Sequence, residues 1–139
     1  MWHIKMKELK ARYGTREAIN SIAKQLDLPN EAWMQDWAYE VADADRINQY
    51  IELYDQTTDE DEKFVLMQMI IQAVDDKKSN NELTDEDWTK VEQRLMENFQ
   101  LHEYEIFYWS QLEKDDIENC FFITPEIRNI WIQKNEKMN

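Results

Sequence analysis

Apolar residues return every three or four positions along most of this chain, and that spacing predicts helices. Trp2, Met6, Leu9 and Tyr13 form the first stripe, which Gly14 can terminate. Thr15 is placed to cap a second helix bearing Ala18, Ile19, Ile22, Ala23 and Leu26, and Pro29 with Asn30 closes it and starts another. The third carries Trp33, Met34, Trp37, Ala38 and Val41. Asp43 can cap a fourth, where Ile47, Tyr50, Ile51 and Tyr54 stand at i, i+3, i+4 and i+7.

Thr58 opens the fifth predicted helix, with Asp59, Glu60, Asp61 and Glu62 crowding a first turn whose dipole favours them. From Phe64 to Val74 this segment is apolar on more than one face, which belongs in the middle of a bundle. Residues 75–83 are the most polar stretch and read as the longest loop. Thr84 caps a sixth helix with Trp88, Val91, Leu95 and Phe99 on its buried face. The tetrad Thr-Asp-Glu-Asp stands at both 58–61 and 84–87, but the apolar patterns that follow do not superpose, so shared capping chemistry explains it better than duplication. The run Tyr104–Leu112 partly satisfies both alternation and helical spacing and is read as helix. Cys120–Ile123 reads as extended, and Thr124 and Pro125 take the N-cap and N1 positions of a last helix carrying Ile127, Ile130 and Trp131.

One glycine and two prolines supply too few turns for a sandwich or barrel. The fold expected is all-α: a bundle of about seven or eight helices around a central apolar helix near 59–75. It is expected to be one helical domain over 1–139, with a basic helical hairpin at 1–28 and an acidic helical body at 29–139. Six Trp, six Tyr, five Phe and seven Met provide core material despite a 33% charged fraction, which argues against disorder. Cys120 is the sole cysteine and no charged-then-apolar leader opens the chain, so a reducing, cytoplasmic setting is expected. No apolar run has the length to span a bilayer.

The charge changes the picture more than the composition does. The chain carries a formal −14, and residues 31–62 hold eleven acids against the single base Arg46, whereas residues 1–30 are net basic. Such a molecule offers a basic partner a long-range field and repels nucleic acid and anionic lipid from most of its surface.

Candidate chemistry is sparse. His3, His102 and Cys120 supply no closely spaced metal pair or nucleophile–base pair, and one glycine cannot build a phosphate loop, so no cofactor and no metal site are expected. A half-buried or surface setting is the default for His102. Segment 76–87 has a calcium-loop cadence, but Lys78 falls where an oxygen ligand is required. Carboxylate pairs such as Asp36 with Glu40 are unavoidable among thirty acids, and a solvated helix face is their default reading. Residues 15–36 mimic a helix-turn-helix, yet the groove-entering helix would begin Glu31-Ala32-Trp33-Met34-Gln35-Asp36, which phosphates would repel.

The segments Met34-Gln35-Asp36-Trp37, Glu40-Val41-Ala42-Asp43, Arg46-Ile47, Glu62 to Met67 with Ile70-Ile71, and Phe122-Ile123-Thr124-Pro125 before Arg128 and Ile130-Trp131 carry a resemblance to small, acidic, uncharacterised bacterial all-helical proteins of the toxin-immunity type. The resemblance rests on packing and capping positions and has no catalytic signature. It implies a non-enzymatic module that neutralises a basic, nuclease-type partner. The surface expected to meet that partner comprises Asp36, Glu40, Asp43, Asp45, Glu52, Asp55, Asp59, Glu60, Asp61 and Glu62, with Trp33 or Tyr54 as aromatic anchors if exposed. The alternatives are a DNA mimic with carboxylates at phosphate-like spacing, a homodimeric helical regulator, and an enzyme in which carboxylates converge with His102 in a pocket.

Overall fold

The computed structural model describes residues 9–136 of the chain. Its helices are α1 (Arg16–Leu26), α2 (Trp37–Val41), α3 (Ile47–Gln56), α4 (Glu60–Ser79), α5 (Asp85–Glu97), α6 (Phe99–Ser110) and α7 (Thr124–Glu136). Single 3-10 turns occupy Ala44–Arg46 and Ile117–Asn119, and no strand occurs among the described residues. The fold is all-α.

Local chemistry fixes the helix starts. Thr15 accepts from the Ala18 amide, Thr84 from Asp87, and Asp43 from Asp45 at the first 3-10 turn. Each satisfies an amide the helix cannot. At α4 the cap is Asp59, not Thr58: its carboxylate accepts from the Asp61 and Glu62 amides, and an anion there also meets the positive helix end. Side chains from elsewhere close the far ends. Lys63 Nζ donates to the Tyr54 carbonyl at the end of α3 (2.9 Å), and Arg46 to the Leu26 carbonyl at the end of α1 (3.1 Å). Arg128 donates to the carbonyl of Ser110, the last residue of α6, and to those of Gln111 and Lys114 beyond it.

Helix α4 is the centre of the bundle. Phe64 to Met67, Met69 to Ile71, Ala73 and Val74 are all solvent-inaccessible, and α4 packs against α1, α2, α3, α5 and α6 while α7 lies on α5 and α6. One buried cluster runs from Ala18 to Trp131 and takes residues from every helix.

Several further expectations are corrected. Leu9–Thr15 is not helical; Trp2 and Met6 of that stripe lie outside the described residues. Instead the segment lies as a strap on the bundle. Gly14 approaches Val65 so closely that a Cβ would stand 2.8 Å from Val65 Cγ2, and Arg12 reaches Asp61 (3.1 Å) and the face of Phe64 (5.1 Å). Those contacts outweigh the good helix formers Lys10, Ala11 and Arg12.

Residues 31–36 form a turn, not the start of a helix. The Met34 amide bonds the Glu31 carbonyl, Trp37 Nε1 donates to the Pro29 carbonyl (2.7 Å), and α2 begins only at Trp37, where Glu40 reaches back to the Asp36 amide. The groove-entering helix of a DNA reader therefore does not form. Residues 75–79, expected in a loop, complete α4, because Asp75 is buried and its Oδ1 accepts from the Ile123 amide (3.0 Å). Cys120–Ile123 is a turn leading into α7, and Thr124 donates to the Trp109 carbonyl (2.7 Å) rather than standing before the helix.

Candidate functional site

The expected partner-facing acids keep to the surface, but many have local work. Asp43 and Asp59 cap, Glu40 bonds the Asp36 amide, and Glu62, half-buried, accepts from Ser21, Gln25 and Thr57. Asp55 forms a two-pronged pair with Arg94 (2.8 and 2.6 Å), which holds its carboxyl below the ordinary aspartate range, and Asp61 pairs with Arg12. Among the described residues, Asp36, Asp45 and Glu60 make no side-chain hydrogen bond and no other member of the set is ion-paired; Glu52 receives only a long bond from Gln56. Trp33 is 71% exposed. Tyr54 is 1% exposed and so is not a surface anchor.

Tyr54 instead serves an internal cluster. Its hydroxyl meets His102 Nε2 at 2.8 Å and receives Asn98 Nδ2 at 3.1 Å, while Phe64 stacks on the imidazole. Burial pushes the Tyr54 hydroxyl up to about 12. His102 is fully buried, contrary to the surface or half-buried setting expected, and its Nδ1 has no hydrogen-bond partner among the described residues. Burial, with the charges of Arg12 and Lys63 adding to it, pulls its pKa down to about 3. Among the described residues, no carboxylate is hydrogen-bonded to the His102 ring.

A site that the sequence reading did not single out lies where α2, α4, α6 and the strap meet. A cleft of about 250 Å³ is lined by Tyr104 and Tyr108 of α6, Trp37 and Tyr39 of α2, and Tyr13 and Gly14 of the strap, with Arg12 and Asp36 also among its lining residues. A neighbouring hollow of about 260 Å³ shares Asp36, Tyr39 and Tyr108 and adds Glu40, Gln72 and Phe121. Tyr13 and Tyr108 remain 76% and 45% exposed, so the aromatic wall reaches solvent.

The first cleft has a carboxylate among its lining groups. Glu105 is 1% exposed. Its Oε2 accepts from the Tyr39 hydroxyl (2.7 Å) and Trp109 Nε1 (3.2 Å), and its Oε1 from Gln68 Nε2 (3.0 Å). All three donors are neutral, and no Lys or Arg among the described residues is within ion-pair distance. Burial raises the Glu105 pKa, while the three hydrogen bonds favour the ionised form. Burial first, and then the carboxylate's charge, hold the Tyr39 hydroxyl protonated well above the usual phenol range.

The sequence does contain a signal for this group. His102, Glu105, Ile106 and Trp109 stand at i, i+3, i+4 and i+7, so Glu105 occupies a core phase of α6, and an acid in that phase must find donors or a cation. Among the described residues no group of three or more His, Cys, Asp or Glu is arranged to hold a metal, and no helix is long and apolar enough to cross a membrane. Lys77 and Lys78, at the calcium-like cadence, pair with Asp87 and Glu126. Compared with known proteins, the chain matches no family model, no curated protein and no solved structure.

Proposed function

We propose that the chain is a non-enzymatic, acidic protein-binding module of the cytoplasm that docks on a basic partner, with an immunity-type role against a nuclease-like toxin as the reading its resemblance favours. The observation that carries it is the placement of the 31–62 acids: they remain at the surface, and among the described residues only Asp55 and Asp61 of the ten expected contact acids are ion-paired. Negative potential of that kind accelerates encounter with a cationic surface, while an exposed aromatic such as Trp33 supplies contact area that charges do not.

The test is capture of the chain by a panel of immobilised cationic nuclease domains, with the variant Asp36→Lys/Asp45→Lys/Glu60→Lys alongside. These three acids have no side-chain bonds to lose, so their reversal leaves the caps intact. The expected result is association that slows at least about tenfold in the variant and in high salt. Capture indifferent to both changes contradicts the proposal.

A further inference from the structure

The geometry points to the Glu105 cleft as a receptor for one arginine side chain of the basic partner, with the guanidinium stacked between tyrosine rings and hydrogen-bonded to the buried carboxylate. This inference rests on the basic-partner reading and adds to it a site, a residue type and a mode of recognition.

The size of the hollow is the first reason. Pockets for drug-sized ligands run from about 300 Å³ upward, and about 250 Å³ suits one long side chain better than a small-molecule substrate. The second reason is the carboxylate's unfilled capacity. A carboxylate offers about four acceptor positions, and Glu105 has three filled, two on Oε2 and one on Oε1. A position on Oε1 is left for a further donor. The third is charge. A buried anion held only by neutral dipoles gains more from an arriving cation than a hydrated surface acid does, because the same separation is worth more where water is excluded.

The walls select among cations. Tyr39, Tyr104 and Tyr108 present rings, and a planar guanidinium stacks on such faces while donating in its own plane, which a compact ammonium does not do. Asp36 also lines the cleft and Glu40 lines the adjoining hollow, so further negative charge stands beside the site. Arg12 also lines the cleft, but its guanidinium is committed to Asp61 and the face of Phe64, leaving Glu105 without an internal cation among the described residues.

The test is a titration of the intact chain with three blocked tripeptides, glycine-arginine-glycine, glycine-lysine-glycine and glycine-citrulline-glycine. It is followed by the indole N–H resonance of Trp109, whose proton is donated to Glu105. Citrulline keeps the shape of arginine and removes its charge. The expected result is a saturable shift with the arginine peptide, at least about tenfold weaker binding of the citrulline peptide, and lysine between them.

Glu105→Gln is expected to weaken the arginine peptide by at least about tenfold, and Tyr108→Ala, at an exposed wall position, by several-fold. The Tyr108 variant keeps the test decisive if the Glu105 variant does not fold. No saturable shift, equal affinity for arginine and citrulline, or an unchanged affinity in both variants would overturn the inference. Salt-dependent capture of a basic protein that is identical in wild type and Glu105→Gln would likewise overturn it, while leaving the partner reading standing. Arginine-peptide binding at Trp109 without any salt-dependent capture of basic proteins would do the reverse.

Discussion

His102 makes the stability of this protein depend on pH in a calculable way. An unfolded histidine titrates near 6.5, whereas burial, Arg12 and Lys63 pull the folded one down to about 3. Between those values the unfolded chain holds a proton that the folded chain does not. The contribution of His102 is therefore complete above about pH 6.5 and is lost as pH falls toward 3. One proton amounts to about 1.4 kcal/mol per pH unit, so the descent from about pH 6 to about pH 4 removes roughly 2–3 kcal/mol. A domain of this size is stable by about 5–15 kcal/mol, so the loss is large enough to read.

Other groups titrate in the same range. Glu105 and Asp75 have pKa values raised mainly by burial, so keeping them ionised costs more in the fold than in the unfolded chain and falling pH relieves that cost, opposing His102; Asp55, lowered chiefly by its bond to Arg94, acts in the same sense as His102. The clean quantity is consequently the difference between wild type and His102→Phe, which keeps a ring beside Phe64 and Tyr54. The substitution leaves Tyr54 with Asn98 alone, but a hydroxyl held near 12 does not titrate in acid, so that cost is a constant offset. Urea unfolding followed by tryptophan fluorescence at about pH 7, 6, 5 and 4 should show the two curves converging by about 1.4 kcal/mol per unit below pH 6. Parallel curves would refute the reasoning, since they require a histidine that protonates as easily inside the fold as outside it.

Two further substitutions test the packing around these sites. Tyr54→Phe removes the only partner of the His102 ring among the described residues and one of Asn98, and should cost about 2 kcal/mol in chemical denaturation, because the buried imidazole then loses the bond to its Nε2. A cost under about 0.5 kcal/mol would mean that the hydroxyl's bonds are replaced on its removal. Arg128→Met keeps much of the apolar stem but deletes three bonds of 2.6 to 2.8 Å to the carbonyls at the end of α6 and beyond it, and should lower stability by roughly 2 kcal/mol and loosen amide protection at residues 110–114. Unchanged hydrogen exchange there would remove Arg128 as the anchor of that turn.

Much of the architecture is written in short-range chemistry. The Thr15 and Thr84 caps, the Ile47–Tyr54 stripe and the all-round apolar segment from Phe64 to Val74 were legible because each depends on neighbours within a turn or two. Distant partners decided what was not. The strap at Leu9–Thr15 has a helical pattern, but Asp61, Phe64 and Val65, more than forty residues away, hold it extended. Polar residues 75–79 continue a helix because Asp75 bonds the backbone at Ile123. Trp33 has the spacing of a core residue, yet the turn at 31–34 and the bond from Trp37 to Pro29 leave it at the surface.

The candidate site divides along the same line. The acids of residues 31–62 could be counted in the sequence, but which of them are spent on caps and which face water depended on where the amides lay. Asp59 and Asp36 are equally acidic in composition, and only the first has two amides to receive. Glu105 lay hidden among thirty acids and inside an aromatic run of ambiguous period. It shares a helix phase with Ile106 and Trp109, both of which are buried, while its three donors come from α2, α4 and α6 together.

The most direct measurement of the central claim, that the acidic face stays outward and captures cations, is the association rate with a cationic nuclease domain as a function of ionic strength. The rate is expected to fall by at least about tenfold between about 0.02 and 0.5 M salt, with the slope flattened by reversal of Asp36, Asp45 and Glu60. A rate that is flat with salt, or a slope that survives the reversal unchanged, contradicts it.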